Sequence, residues 1–370
     1  MALTIGDGSA PSQVTRNYDA LLSTTLAKYR PTLIDNIFKD SAFLAFIRMS
    51  EAYVSQDGGE RIAVPLLYGK NKTVKTYGGY EILDTTPQEG MTTAFYPWAH
   101  IGGTISISRD EQRKNADSET RILNLLESKI KQAEMTMREE LNQKLLQGTV
   151  SGATFIADVS LGGSVGVLPL GYFLRKLKAT NPTSTNVGNI SSAAEGWWRH
   201  RVGDFSGGSP AGADVDLAIT TYKGFEAAVR RMYNFCARGS GGAPNLAVGD
   251  QISWETYVNA LDTKTRFQNT KMADLGFDTI KIRGSTFIWD EVVPDMHTGT
   301  TAITEGSIFF LNTEFYKVVY DQETNFITTP FVEPENQAAM TSKLLWMGNA
   351  TVSNLRKLGV ALNIPQDVVS

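Results

Sequence analysis

The sequence predicts an α+β fold, and three features carry that expectation. A stretch of 44 residues without Gly or Pro, Thr104 to Gln147, holds an apolar stripe at helical spacing. Before it, from Gly58 to Gly103, apolar and polar residues alternate between Gly and Pro punctuation, the pattern of hairpin strands. After it, helical and strand patterns follow one another irregularly, without the regular βα alternation of a doubly wound parallel sheet.

Taken in order, residues 1–20 are polar and rich in Gly and Ser, which reads as an arm with no core of its own. A short helix is expected after Pro31, with Leu33, Ile34, Ile37 and Phe38 on one face, then a second apolar patch at Phe43, Leu44, Phe46 and Ile47. Residues 58–103 read as an extended β-ribbon. Ile62, Val64 and Leu66 alternate on the way out, Gly69, Gly78, Gly79, Pro87 and Gly90 punctuate, and Ala94, Tyr96 and Trp98 return. The middle is too polar to form a core, and Lys70, Lys72 and Lys75 face no acid between Arg61 and Glu81. A two-stranded ribbon is marginal alone in water, so this one is expected to lie on its own body or on another chain.

Residues 104–150 predict a strand at Thr104–Ser108, then Ser108-Arg-Asp-Glu111 with the spacing of a capping box. A long helix follows, capped by Asp117 or Ser118. Ile122, Leu126, Ile130, Ala133, Met137, Leu141 and Leu145 form its face, and Gly148 closes it. Glu127–Lys131, Glu134–Arg138 and Glu140–Lys144 are acid-first i,i+4 pairs, the more favourable order. The steps hold no strict heptad, which favours a helix lying across a sheet or domain over a coiled coil. Residues 151–335 begin loop-rich, with Trp197-Trp198-Arg199 in the middle. A helix is then expected over Asp214–Arg238, a strand at 245–248 and a helix at 252–261. Strands are expected at 279–282, 286–289, 307–311 and 316–320, and residues 336–370 carry a final β segment at about 343–364.

Composition narrows the function. The chain has 370 residues, room for two or three units at ~150 residues each. With 35 Lys and Arg against 39 Asp and Glu, it lacks the basic footprint that holds a protein to duplex nucleic acid. The longest apolar run, Ala42 to Ile47, is six residues, too short to span a bilayer. The first residues lack the basic and apolar regions of a signal peptide. One cysteine, Cys236, forbids an internal disulfide and a cysteine zinc site. The only histidines, His100, His200 and His297, lie far apart in sequence.

Candidates for chemistry each have a plainer reading. Gly162-Gly163-Ser164-Val165-Gly166 fits a nucleophile elbow, but no βα alternation surrounds Ser164, and a Gly/Ser turn reads as well. Asp290, Glu291, Asp295 and His297 suggest a cation site or a solvated acidic turn around Pro294. The Gly239–Gly242 turn has neither a dinucleotide pattern nor a Walker lysine. Cys236 falls on the apolar side of its helix beside Phe225, Val229 and Met232, as a buried thiol does. The sequons at Asn71, Asn189 and Asn349 are chance matches. Trp197, Trp198, Arg199 and His200 read as a stacking platform for a base or as a loop packed on its own domain or a neighbour. The lysine run reads as a phosphate contact or an intersubunit one. No enzyme activity and no cofactor are expected.

Several segments, in this order, resemble the major capsid (coat) proteins of tailed bacteriophages with the Hong Kong 97-type fold. Pro31-Thr-Leu-Ile-Asp-Asn-Ile-Phe leads to Gly58-Gly-Glu-Arg-Ile-Ala-Val-Pro65, similar to the entry of that family's extended loop. Ile105-Ser-Ile-Ser108 precedes a charged helix ending in Met137-Arg-Glu-Glu-Leu-Asn-Gln-Lys-Leu-Leu, similar to its spine helix. Gly188-Asn-Ile-Ser191 before Trp197-Trp-Arg199, Ala273-Asp-Leu-Gly-Phe277, Phe310-Leu-Asn-Thr313, and Thr329-Pro-Phe-Val332 with Glu335-Asn-Gln337 complete the order. The resemblance covers about Leu21 to Val368. It implies an arm (1–57), an extended loop (58–103), a peripheral domain on a spine helix (104–150), an axial domain (151–335) and a C-terminal return to the peripheral domain (336–370). It also implies pentamers and hexamers that close an icosahedral shell around double-stranded DNA in the virion, assembled in the host cytoplasm. Portal protein, a separate scaffolding protein and decoration proteins are the partners it implies, with weak, non-specific DNA contact and no membrane. Lys70, Lys72, Lys75, Tyr77, Trp98, Trp197 and Trp198 are then the candidates for intersubunit contact. An encapsulin-like compartment of the same fold is the alternative, and a serine hydrolase on Ser164 ranks third.

Overall fold

A computed structural model describes residues 41–114, 125–146, 149–151, 154–156, 166–174, 187–192, 194–207, 213–239, 241–261, 280–290, 292–293, 305–333 and 338–365. The helix expected after Pro31, Ser164, Glu291, Asp295, His297 and the 273–277 and 335–337 segments lie outside them. The chain forms two compact units. One draws on Gly102–Arg138 and Phe326–Leu345, the other on Asp40–Ile101, Glu139–Asn325 and Trp346–Ser370.

The larger unit is built on a seven-stranded sheet. Its strands are β7 (Arg201–Asp204), β8 (Val215–Asp216), β9 (Leu246–Gly249), β10 (Ile280–Ile282), β11 (Ser285–Trp289), β12 (Glu305–Leu311) and β15 (Gly359–Pro365). Their order across the sheet is β10-β11-β9-β12-β15-β7-β8. The central strands are near-continuous apolar runs, Leu246–Val248, Ile308–Leu311 and Val360–Leu362, and all of these residues are buried. Such runs fit strands covered on both faces. Helix α5 (Tyr222–Ala237) and helix α6 (Gln251–Ala260) join the sheet in one core with Phe225, Val229, Met232, Trp254, Tyr257, Phe287 and Ile308. At Gly359 an added Cβ would lie 2.5 Å from Met232 Cε and 2.6 Å from Cys236 Sγ, so a glycine is what admits α5 this close to β15.

Two expectations differ here. Helix α5 starts at Tyr222, where Thr221 Oγ1 accepts from Gly224 N at 3.2 Å, and not at Asp214. Residues 215–216 pair instead with Gly203 and Asp204. The final β segment is two strands, β14 (Ala339–Val352) and β15, separated by a 3-10 turn at Leu355–Lys357. β15 lies between β12 and β7 in the larger sheet. Its residues from Gly359 to Ile364 are all buried, which fits a central position in that sheet.

The other strands and helices, in chain order, are α1 (Ala42–Met49), β1 (Tyr53–Gln56), β2 (Ile62–Leu67), β3 (Met91–Tyr96), β4 (Ala99–Ser108), α2 (Arg109–Lys114), α3 (Leu125–Leu146), β5 (Thr149–Ser151), β6 (Thr154–Ile156), α4 (Leu170–Phe173) and β13 (Tyr316–Thr328). β1, β13, β14 and β4 form a four-stranded sheet in that order. In the larger unit β1 runs parallel to β13, Tyr53 opposite Val318. There Tyr53 stacks on Tyr320 at 4.2 Å and its hydroxyl accepts from Trp346 Nε1 at 3.0 Å. In the smaller unit Ser108 and Glu111 form the expected capping box: Glu111 N donates to Ser108 Oγ at 3.2 Å and Ser108 N to Glu111 Oε2 at 3.3 Å. On α3, Met137, Leu141 and Leu145 of the expected stripe are buried, whereas Ile130 and Ala133 are half-buried. The expected cap of that helix, Ile122 and Gly148 fall outside the described residues.

Candidate functional site

Among the described residues of the larger unit, the ribbon exposes the most large apolar side chains. β2 and β3 pair antiparallel from Ile62 opposite Tyr96 to Leu67 opposite Met91. Side chains alternate as a strand requires: Ile62, Leu66, Ala94 and Tyr96 are buried, while Ala63, Pro65, Leu67, Met91 and Phe95 face out. The inward face is tied to the body of its own unit. Tyr96 Oη donates to Val352 O at 2.7 Å and Phe95 N to Gly188 O at 3.0 Å, while Trp98 Nε1 closes the base of the ribbon itself on Gly59 O at 2.8 Å. The third partner that a lone ribbon lacks is thus supplied within the chain, for this paired part.

Beyond Leu67 the ladder ends. Residues 70–89 close on themselves through short local bonds, with Asn71 Oδ1 accepting from Thr73 N at 2.9 Å and Asp84 Oδ1 from Thr86 N at 2.9 Å. Lys75 Nζ reaches Glu81 at 2.7 Å. The lysine, helped by the Gly78 N–H, holds the Glu81 carboxyl below its ordinary range. Lys75 is therefore paired inside the chain by the acid that bounds its window, whereas the other two lysines of the run, Lys70 and Lys72, make no ion pair with a described residue.

The seven candidate contact residues separate on burial. Lys70, Lys72, Lys75 and Tyr77 are exposed. Trp98 and Trp198 are buried in their own unit at 8% and 1% exposure, and Trp198 Nε1 donates to Val187 O at 2.9 Å. Both indoles are covered by their own unit. Trp197 is half-buried, stacks on Tyr68 with centroids 4.6 Å apart at 13°, and donates Nε1 to Glu195 Oε2 at 2.6 Å. The tryptophan pair therefore packs its loop onto its own unit, and Trp197 stacks on an aromatic side chain of that unit.

Alternation along the strands does not disclose how much apolar surface the ribbon as a whole exposes. Of the fourteen large apolar side chains exposed among the described residues, nine lie between Leu67 and Phe95. Tyr80, Ile82 and Val74 are 106%, 89% and 80% exposed. Their spacing is irregular and strand periodicity does not reveal them, but a run of Val, Tyr, Ile and Leu between glycines was the available signal.

The residues singled out for chemistry are structural where they are described. Asp290 Oδ2 accepts from Ser41 Oγ at 3.2 Å and Asn142 Nδ2 at 3.1 Å, and Oδ1 from Val292 N at 3.0 Å. This carboxylate ties the end of β11 to the cap of α1 and to α3. His200 is buried. Cys236 is fully buried, and burial pushes its thiol up to about 12, away from nucleophilic use. No three His, Cys, Asp or Glu side chains gather as a metal site among the described residues.

No family model and no curated protein matches this chain. Solved structures do. The cyanophage A-1(L) capsid asymmetric unit matches at a TM-score of 0.64 and 13% identity, over 91% of this chain and 96% of that one. The chain has the Hong Kong 97-type capsid fold. The same Hong Kong 97-type fold relates it to the SrpI encapsulin of Synechococcus elongatus PCC 7942, at a TM-score of 0.53 and 9% identity over 100% of this chain and 99% of that one. The capsid of a native GTA particle matches at 0.51 and 11%, over 92% and 96%. At these identities the shared property is the Hong Kong 97-type fold itself, in agreement with the α+β expectation.

Proposed function

We propose that the chain is a major capsid protein, a structural subunit that self-assembles into pentamers and hexamers and closes an icosahedral head around double-stranded DNA. Two things support this reading: the Hong Kong 97-type fold and the exposed apolar ribbon. The ribbon carries it. A folded chain that leaves Leu67, Val74, Tyr80, Ile82 and Met91 in water has surface to bury against another copy. Full burial of one such side chain is worth ~1.5–3 kcal/mol, against ~0.2–1 kcal/mol for an exposed ion pair. The apolar tip outweighs Lys70 and Lys72 as the driving term, and the lysines adjust register and salt dependence. Tyr77 and the half-buried Trp197 remain contact candidates; Trp98 and Trp198 do not.

In this reading 58–103 is the extended loop, 104–150 with its long helix the peripheral domain, and 151–335 the axial domain. Portal, scaffolding and decoration proteins are the expected partners in a virion assembled in the host cytoplasm. Genome contact is weak and non-specific, since a net charge of −4 supplies few phosphate contacts. The end-to-end correspondence with an encapsulin supports a second reading, a shell around protein cargo. Negative-stain microscopy of the purified protein tests the common part: closed shells tens of nanometres wide are expected, and a protein monomeric at all concentrations refutes both readings. Nuclease-protected DNA inside particles made in the native host selects the first, and a packaged enzyme selects the second.

A further inference from the structure

Helix α5 has two faces of different chemistry. Phe225, Val229, Met232 and Cys236 pack into the core, while Lys223, Arg230, Arg231 and Asn234 are exposed on the opposite side. At 3.6 residues per turn these four fall within one arc of roughly 100°. Glu226 is the single acid of the helix, and it reaches Arg230 only at 3.7 Å. Arg238, also exposed, follows the last turn with its guanidinium over the Phe235 ring at 3.9 Å. The turn between β10 and β11 adds a further cation. Ile282 pairs with Ser285, which leaves Arg283 and Gly284 to make the turn. Gly284 is set against α5, since an added Cβ there would lie 2.7 Å from Tyr233 Oη. Arg283 Nη1 donates to Asn234 Oδ1 at 2.8 Å, which brings its guanidinium onto the exposed face of α5. Its φ is +54°, in the left-handed region that hairpin turns give to Gly, Asn or Asp. An arginine is thus held where its backbone is strained and a glycine's would not be.

We propose that this face binds the phosphate backbone of duplex DNA without regard to sequence. All its cations but Lys223 are arginines, whose planar fork matches phosphate oxygens. None of the large apolar side chains exposed among the described residues lies on α5 or in this turn. The face therefore lacks the apolar anchors of a protein–protein interface, whereas a phosphate backbone needs only charge. From Lys223 to Arg238 it runs roughly 22 Å at ~1.5 Å per residue, long enough to meet about three or four phosphates. The inference rests on the DNA-enclosing reading and deepens it, gathering on one face the few phosphate contacts open to a chain of net charge −4.

The test uses the full chain as soluble subunit, below the concentration at which shells form, and a short fluorescent DNA duplex of arbitrary sequence. Anisotropy titrations from about 50 to 200 mM NaCl should give a slope of log affinity against log salt of about −3. Arg231→Ala with Arg283→Gly should bring the slope to about −1 and weaken low-salt binding about tenfold or more. Lys281→Glu makes the same change in net charge on the other face of the sheet, because Ile280 and Ile282 beside it turn into the core with α5. It should leave slope and affinity unchanged. Arg283→Gly alone should remove one contact without lowering the melting temperature, which a merely structural arginine would not allow. A parent slope near zero, or an equal loss with Lys281→Glu, overturns the patch. Polyglutamate that competes as well as DNA of equal charge overturns the assignment to nucleic acid in favour of an acidic protein. Failure of the head reading is seen separately, in particles from the native host: DNA-filled particles beside a subunit that does not bind leave that reading standing and sink this one.

Discussion

Lys357 is 2% exposed, and its ammonium donates its three N–H groups to the main-chain carbonyls of Arg238 and Gly239 at 3.1 Å each and Gly242 at 2.9 Å, with Ala237 O beside it at 3.4 Å. It closes the negative end of α5 and organises the glycine turn that follows. Burial lowers its pKa, yet the carbonyls keep the charge useful. Lys357→Met should leave those acceptors unsatisfied and cost about 2–3 kcal/mol, read as a lower denaturant midpoint with an unchanged slope. In the smaller unit Glu111 pairs with Lys129 at 2.9 Å. Partial burial would raise this carboxyl, but the bonds from Lys129 and Ser108 outweigh it and leave the pKa below its ordinary 4.5. A lowered carboxyl pKa stabilises the fold above the unfolded value, and that contribution disappears as pH falls through the folded value. Glu111→Gln should therefore cost about 0.5–1 kcal/mol at pH 7 and progressively less as the pH falls through the folded value, measured by thermal melts from neutral to acid pH.

At the scale of elements, the stripe on α3 divides along its length. Leu141 is 1% exposed and Met137 5%, whereas Ile130 is half-buried. Leu141→Ala is expected to cost about 2–5 kcal/mol, and Ile130→Ala clearly less, by equilibrium unfolding. Equal losses would mean that Ile130 is as deeply packed as Leu141. The start of α5 shows a local signal overlooked in favour of periodicity. Thr221 followed by Gly224 is a serviceable cap, and the tertiary pairing of Val215 and Asp216 with β7 takes the preceding residues out of the helix. Thr221→Ala should cost about 1 kcal/mol.

At the scale of the whole molecule, the apolar tip and its lysines make separable predictions about assembly. Ile82→Asn with Val74→Asn should leave the circular dichroism of the subunit unchanged, because both side chains are in water. It should raise the concentration needed for shell formation by tenfold or more, since two buried side chains at ~1.5–3 kcal/mol each are lost per contact. Lys70→Glu with Lys72→Glu should produce a smaller rise that fades with added salt. Light scattering against concentration distinguishes the two. A lysine effect exceeding the apolar one would reverse the assignment of the driving term.

The sequence alone determined whatever depends on near neighbours along the chain. The Ser108–Glu111 box, the alternation of Ile62 and Leu66, the burial of Cys236 and the α+β class follow from spacings of two to four residues, which fix local geometry. Tertiary structure decided what depends on distant partners. Trp98 and Trp198 turned inward because Gly59 and Val187 present carbonyls to their indoles. Lys357 vanished beneath a loop more than a hundred positions earlier in the chain, and β15 slid between β12 and β7. Burial is a property of what covers a residue, and sequence spacing does not record the cover. The tip is the converse case: its valine, tyrosines, isoleucine and leucine look like core residues, and only the fold reveals that nothing in their own chain covers them.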